Sequence, residues 1–236
     1  MITKVIIDEE GNKHYYKSGD FNSKDGNIKE KDIKNGIVKS NLGKSFIIFD
    51  AGFIDNLKKI KRGPALSHPK DIGVIITTSG IGNGSKVLDA GTGQGGIAIS
   101  LSRIGCNVIS YEKKEEFFNI AKENINNLNL KVDLKCKDIY EGIDESGFDL
   151  INLDLLEPWK VLNHAYNSLN SGGFLVAYLT NITQVIQLTS SLDKNKFYLW
   201  KVSEVIEREW HSEGLKVRPE NIILGHTAFL FFARKI

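Results

Sequence analysis

The stretch Lys86-Val87-Leu88-Asp89-Ala90-Gly91-Thr92-Gly93-Gln94-Gly95-Gly96, continuing through a helical segment to Val108-Ile109-Ser110-Tyr111-Glu112, decides the fold. It reads as a buried strand, a glycine turn, a helix and a second strand, with a carboxylate at each strand tip. A strand that hands directly to a helix needs backbone angles that glycine adopts cheaply, and bare main chain there lets a ligand approach. The spacing Gly91-x-Gly93-x-x-Gly96 matches the dinucleotide fingerprint, which taken alone is a weak signal. Glu112, after the second strand, is placed to accept hydrogen bonds from both hydroxyls of a ribose. The pattern points to a nucleoside without fixing its chemistry. Asp89 separates two candidates, because an acid two residues before the first glycine repels a pyrophosphate, as in NAD. The same acid attracts the cationic end of S-adenosylmethionine (SAM), directly or through water. These residues favour SAM; the plainer alternative is a glycine turn that joins strand to helix with no ligand.

Working outward, 236 residues fit one large domain or a standard α/β domain with a small appendage. A hydrophobic content of 41% and a charged content of 25% are ordinary for a globular protein, and no apolar run reaches membrane-spanning length. The start, Met1 to Glu10, lacks the apolar core of a signal peptide. A cytoplasmic protein with no membrane partner is expected. Cys106 and Cys136 fall at opposite ends of neighbouring strands, so they read as two small core residues rather than a disulfide. With no CxxC or Cys/His cluster, no metal is expected either.

Net charge is only +2, mild for a nucleic-acid binder, but it is unevenly spread. Residues 1–71 carry 14 Lys+Arg against 10 Asp+Glu, and residues 72–236 carry 17 against 19. The excess in the first part, with Lys58-Lys59-Ile60-Lys61-Arg62 near its end, permits phosphate contacts, although a solvated lysine face has the same composition.

Residues 1–60 read as a small β-barrel-like domain. Short strands are expected at Lys4–Asp8, Lys13–Lys17, Ile37–Ser40 and Ser45–Asp50, with turns between them, one at Asp25-Gly26-Asn27. An extended run from Arg62 to Asp71, in which Pro64 and Pro69 forbid a regular helix before position 69, leads into a helix. Residues 61–236 then alternate helix and strand. Helices are expected after the glycine turn as far as Gly105, at Glu115–Leu128, Pro158–Leu169 and Ile182–Leu192. Strands are expected at Val132–Cys136, Phe148–Leu153 and Phe174–Tyr178, the last following a turn at Ser171-Gly172-Gly173. Strands at Phe197–Val205 and Ala228–Arg234 close the chain. This order describes an α/β fold, a parallel sheet with an antiparallel edge.

Two further stretches carry chemistry. Asp138, just after the third strand, belongs to the same crevice as Asp89 and Glu112, either accepting from an adenine amino group or capping a helix. Asn152-Leu153-Asp154-Leu155-Leu156-Glu157-Pro158-Trp159 presents Asp154 at the tip of the fourth strand. A carboxylate there can take a proton or a hydrogen bond from the exocyclic amine of a base, with Trp159 as a packing ring. The plainer alternative is a helix-capping acid and a core tryptophan.

The run Ala65-Leu66-Ser67-His68-Pro69-Lys70-Asp71, the glycine turn, Leu153 to Leu162, Phe174 to Val185 and Gly225-His226-Thr227-Ala228-Phe229-Leu230 together resemble the TrmI-type tRNA (adenine-N1)-methyltransferases. The motifs stand in family order over residues 62–235; Asp154-x-x-Glu157-Pro158-Trp159 and Gly225 to Leu230 are the specific ones, and residues 1–57 match only in size and β character. The resemblance implies a Rossmann-like SAM-dependent core with a mostly parallel seven-stranded sheet behind a small N-terminal β domain, forming a homotetramer with no obligatory second subunit. It implies methylation of N1 of adenine 58 in the tRNA T-loop, and permits position 57 as well. The family's catalytic aspartate falls on Asp154, its ribose acid on Glu112 and its cofactor-adenine site on Asp138-Ile139. Asp89, Gly91, Thr92, Gly93, Gln94, Gly95 and Gly96 complete the expected cofactor site. Ser67, His68 and Tyr178 are expected to line the target-base pocket, and Arg62 and the N-terminal lysines to meet tRNA phosphates. Read without the resemblance, His68 is a structural hydrogen-bonder. Gln94 replaces the serine of many relatives, and Phe117 stands where some eukaryotic relatives have an arginine.

Three other functions fit parts of the pattern. A non-catalytic tRNA-binding subunit would be expected to lose the cofactor acids and the reacting aspartate, yet Gly91, Gly93, Glu112 and Asp154 are all present. A SAM enzyme acting on a small molecule or a protein, and an NAD oxidoreductase, are the others.

Overall fold

A computed structural model describes residues 1–63 and 67–236, so Pro64, Ala65 and Leu66 of the expected approach run lie outside the described residues. The chain forms two units, Met1–Lys61 and Arg62–Ile236.

Short stretches of alternating polarity build the first unit: β1 (Lys4–Ile7), β2 (Lys13–Tyr16), β3 (Phe21–Ser23), β4 (Gly26–Ile28), β5 (Gly36–Lys39), β6 (Ser45–Asp50) and helix α1 (Phe53–Leu57). Four strands make an antiparallel sheet in the order β2-β1-β6-β5, and β3-β4 is a separate hairpin. The two-residue period turns Ile6, Phe46 and Ile48 inward, where Ile28 and Ile33 join them. The β3-β4 hairpin departs from the expected turn at Asp25-Gly26-Asn27: Gly26 and Asn27 pair instead with Ser23 and Asn22. Tertiary contacts decide this, since the Asn27 N–H donates to Asn41 Oδ1 at 2.7 Å and Ser40 Oγ to the Asp25 carbonyl at 2.7 Å. Helix α1 is likewise absent from the expected β-only pattern.

The second unit runs α2 (Pro69–Ser79), β7 (Lys86–Ala90), α3 (Gly96–Arg103), β8 (Asn107–Glu112), α4 (Glu115–Asn127), β9 (Val132–Cys136), β10 (Phe148–Leu153), α5 (Leu162–Ser168), β11 (Leu169–Leu179), α6 (Ile182–Ser191), β12 (Phe197–Glu204), β13 (Trp210–Glu213), β14 (Lys216–Pro219) and β15 (Phe229–Lys235). Seven strands form one sheet in the order β12-β15-β11-β10-β7-β8-β9. Only β15 runs against its neighbours, so the sheet is the mostly parallel one expected of a Rossmann-like methyltransferase core. Parallel strands are covered on both faces, which is why β7 and β10 are continuously apolar apart from Lys86, Asp89, Asp149 and Asn152. Leu88, Ile151 and Leu175 pack on one face; Val87, Leu150 and Val176 pack on the other, against α2 and α3.

Several details differ from the sequence reading. Ser171-Gly172-Gly173 lies inside β11, which pairs with β10 from Leu169 across an irregularity. Gly173 fits there because a Cβ would stand 2.9 Å from the Asn170 carbonyl and 3.0 Å from that of Phe148. The helix expected over Pro158–Leu169 splits into a 3-10 turn, Pro158–Val161, and α5. The β13-β14 hairpin went unseen because almost all its side chains face solvent and leave no periodicity to read. Both cysteines are free as expected, but only Cys106 is buried; Cys136 is exposed, because it ends an edge strand.

The strand order reverses between β7 and β10, and the carboxyl-end crevice at that reversal is where open α/β sheets bind ligands. Four acids reach it from successive strand ends.

Candidate active site

The glycine turn after β7 and the loop after β10 are locked together. The Asp154 N–H donates to the Ala90 carbonyl at 2.9 Å. Gly91, at φ +91°, lies so close that a Cβ would stand 2.1 Å from the Asp154 carbonyl oxygen. No other residue type fits there without moving the acid. Glu112 closes the other side of the turn, accepting from the Gly93 N–H at 2.9 Å and the Lys114 N–H at 2.9 Å.

Asp89, 1% exposed, sits beneath the turn. It accepts from Asn152 Nδ2 at 2.9 Å and Ser110 Oγ at 3.1 Å, while Ser110 shares a hydrogen bond with Thr92 Oγ1 at 2.7 Å. Burial pushes its carboxyl up to about 6 against the opposing pull of those donors. Asp154 has no hydrogen-bond or ion-pair partner for its carboxylate among the described residues. Burial, then the charges of Asp89 and Glu112, raises it to about 7. It caps no helix: the 3-10 turn that follows starts after Glu157. Trp159, partly buried, packs against the core cluster that includes Leu153 and Val161.

Asp138 does cap: its Oδ1 accepts the Tyr140 N–H at 3.1 Å, opening a 3-10 turn, Ile139–Glu141, in which Ile139 is buried. Its Oδ2 stands 3.6 Å from Lys113 Nζ. Gln94 lines the crevice while its side chain accepts the Gly63 N–H at 2.9 Å and its carbonyl takes Asn124 Nδ2 at 3.0 Å.

These residues surround a cavity of about 640 Å³. Every expected cofactor residue except Gly95 lines it, together with Asp154, Ser67, His68 and Tyr178. Gly95 is the residue from which α3 starts, and Arg62 lies away from the cavity walls. The Tyr178 hydroxyl donates to Asp71 Oδ2 at 2.9 Å; burial and that carboxylate push it far above its ordinary range. Lys70 and Thr227 complete this buried cluster, Lys70 Nζ donating to Asp71 Oδ1 at 2.7 Å and to Thr227 Oγ1 at 2.6 Å.

Sequence reasoning missed Lys70, Asp71 and Thr227 as a unit, although Asp71 and Thr227 both lie in the two motifs that carry the resemblance. It also gave His226 no role. His226 bridges Glu204 and, at 3.0 Å, the Thr180 carbonyl; both ring nitrogens meet acceptors, which raises its pKa.

The site suits SAM on its own chemistry. Its volume is that of a small-ligand cavity. Asp89, Glu112, Asp138, Asp154 and Glu157 all line it, and among the described residues no cation is in contact with Asp154, while Asn152 Oδ1 and His68 Nδ1 are buried without partners.

Comparison with known proteins agrees. The family model for the tRNA methyltransferase complex GCD14 subunit matches residues 64–223. The chain belongs to that family. Within it, the chain is 35% identical over 203 residues to the tRNA (adenine(58)-N(1))-methyltransferase TrmI of Thermus thermophilus, covering 83% of this chain and 79% of that one. It is 32% identical over 265 residues to the tRNA (adenine(57)-N(1)/adenine(58)-N(1))-methyltransferase TrmI of Methanocaldococcus jannaschii, covering 98% and 94%. A SAM-dependent O-methyltransferase from Thermotoga maritima superposes with a TM-score of 0.90 at 26% identity, over 100% of this chain and 93% of that one. Both relatives are named as tRNA methyltransferases, and the fold is shared from end to end with a solved SAM-dependent enzyme. Among the described residues no helix is long and apolar enough to cross a membrane.

Proposed function

We propose that this chain uses SAM to methylate N1 of the adenine at position 58 of the tRNA T-loop, with Asp154 as the catalytic residue. The observation that carries the reading is the bare carboxylate of Asp154, fixed at the rim of a nucleoside-sized cavity with its pKa near 7. Glu112 is suited to a ribose diol, Ile139 and Asp138 to an adenine, and Asp89 to the cationic end, through the field of its buried charge rather than by an open face. SAM when bound supplies an electrophilic methyl group on a sulfonium.

The chain's residues do the remainder. A base inside a folded T-loop must be turned out to reach a buried site. Asp154 then accepts a hydrogen bond from its N6 amino group, draws that proton and raises the electron density on N1. A carboxylate that has been desolvated binds the amino group more tightly than one in water, and it also favours the cationic product base. Fixing Asp154 to the glycine turn through the Ala90 carbonyl keeps it in register with the cofactor wall. Ser67, His68 and Tyr178 also line the cavity and are the side chains we assign to the incoming base; His68 Nδ1 is buried and has no hydrogen-bond partner among the described residues.

Residues 1–60 act as a small domain that helps to position tRNA, and residues 61–236 as the methyltransferase domain. Lysines of the first domain and Arg62 meet phosphates, and a homotetramer in the cytoplasm brings several such surfaces to one tRNA. Position 57 is a second acceptor where it carries adenine, as the name of the Methanocaldococcus relative allows.

The test is transfer of labelled methyl from SAM to a tRNA transcript with adenine at position 58 and to one without it, followed by mapping of the modified positions. Transfer that ignores position 58, or that occurs only to a small hydroxyl acceptor, overturns the reading; the latter would align the chain with the O-methyltransferase named for the Thermotoga structure.

A further inference from the structure

We infer that Gln184, outside the cavity, is a positioning residue that holds the Asp154 loop in its working shape. The inference rests on the reading of Asp154 as the reacting acid.

The loop after β10 has few anchors of its own. Its start is tied through the Asp154 N–H to Ala90, and Glu157 donates its N–H to the Tyr140 hydroxyl at 3.2 Å. Between them the carbonyls of Leu155 and Leu156 point toward α6. There the Gln184 side chain, 8% exposed, donates Nε2 to Leu156 O at 3.0 Å and to Leu155 O at 3.3 Å. Its Oε1 accepts the Thr180 N–H at 3.0 Å and Thr180 Oγ1 at 3.3 Å. One amide therefore spans the loop that carries Asp154 and the end of β11. The far side of Thr180 is pinned in turn, since His226 Nε2 donates to its carbonyl at 3.0 Å. A planar amide with both ends engaged allows the loop little freedom, and part-buried carbonyls deprived of that donor turn toward another.

A purely local role is the competing account. Asn181-Ile182-Thr183-Gln184 has the spacing of a capping box, with the Asn181 side chain accepting the Gln184 N–H at 3.0 Å. In that account Gln184 serves α6 alone, and the two carbonyls across the gap are incidental.

Gln184→Glu separates the accounts. Glutamate at this position keeps the acceptor toward Thr180 and suits the N-terminus of a helix, but it sets an oxygen against the carbonyls of Leu155 and Leu156. Single-turnover methyl transfer to a tRNA transcript at saturating SAM should slow by about ten- to a hundredfold, the scale of a small misplacement of a reacting group. The loss should fall on kcat, with KM and Kd for SAM within about twofold of wild type and the melting temperature nearly unchanged. Asn181→Ala should do the reverse, lowering the melting temperature as a lost cap does while leaving the transfer rate per folded molecule intact. Should Gln184→Glu not fold, Gln184→Met gives the same readout, since it keeps the bulk and lacks the donors. A wild-type transfer rate in the folded Glu or Met variant overturns the inference. Asp154→Ala, run in parallel, keeps the two claims apart: a slow Asp154→Ala with a normal Gln184→Glu removes only the role of Gln184, whereas a normal Asp154→Ala removes the reading beneath it.

Discussion

Asp8 and Asp154 are both carboxylates drawn out of bulk water, one in each unit, and they end at opposite extremes. Asp8 follows β1 and accepts four hydrogen bonds, from the Glu10 N–H at 3.1 Å, the Asn12 N–H at 2.8 Å, Asn12 Nδ2 at 3.0 Å and His14 Nε2 at 3.0 Å. The bond from His14, above all, holds its carboxyl down at about 2. Asp154 has none of these donors and two neighbouring acids, and it rises to about 7. Burial alone pushes both the same way, so the donors decide the outcome. An acid that a fold has satisfied shapes a turn; an acid that a fold has isolated is left to meet a ligand.

The strongest way to break this contrast is to remove each carboxylate and follow chemistry. Asp154→Ala should retain SAM binding while methyl transfer falls by two or more orders of magnitude. Near-normal transfer in a rapid-quench assay would end the distinction. Gly91→Ala should come next. It adds a Cβ where the Asp154 carbonyl already lies, in a left-handed conformation, and should cost about 2–4 kcal/mol in denaturant unfolding. SAM affinity should fall with stability, because the same turn forms the cofactor wall.

Protonation sharpens the contrast further. Transfer that needs the ionised Asp154 should give a kcat/KM that rises with pH and levels off above about 7. In kcat the break should move lower, since a neighbouring cation favours the carboxylate. Folding responds with the opposite sign. Asp154 keeps its proton when folded at pH values where it loses it when unfolded, so its contribution to stability declines as pH climbs from the ordinary carboxylate range toward about 7. Asp154→Asn should therefore melt higher than wild type at pH 8, by an amount on the order of 1–3 kcal/mol, and equally at pH 4. For Asp8 the folded pKa is depressed, so its support is complete above the ordinary carboxylate range and fades as pH drops toward about 2. Asp8→Asn should melt lower at pH 6, converge with wild type near pH 2 and leave methyl transfer unchanged.

How much of this could be read from the chain alone follows from the same physics. Glycine spacing, continuous apolar strands and acids at strand tips are local signals, and they located β7 to β10 and the cavity wall nearly residue for residue. Asp154 was legible as a candidate because a strand end is a sharp place in a sequence. Its isolation was not, since that depends on which donors fail to arrive from other strands. The Asn152 partnership of Asp89, the cluster joining Lys70 and Asp71 to Tyr178 and Thr227, and the reach of Gln184 across to the loop after β10 all link residues far apart along the chain. No period or spacing announces them. Gln94 shows the limit from the other side: its turn position was evident, yet nothing in the spacing announced that its side chain also ties down the backbone at Gly63.

The contact between Gly91 and the Asp154 carbonyl reaches beyond catalysis. On the proposed assignment it makes the donor half of the site and Asp154 one inseparable casting, so evolution could not slide the acid toward a differently shaped acceptor without also disturbing the glycine turn. Divergence toward new acceptors would then be confined to other lining residues such as Ser67, His68 and Tyr178, and the acid would be inherited in place.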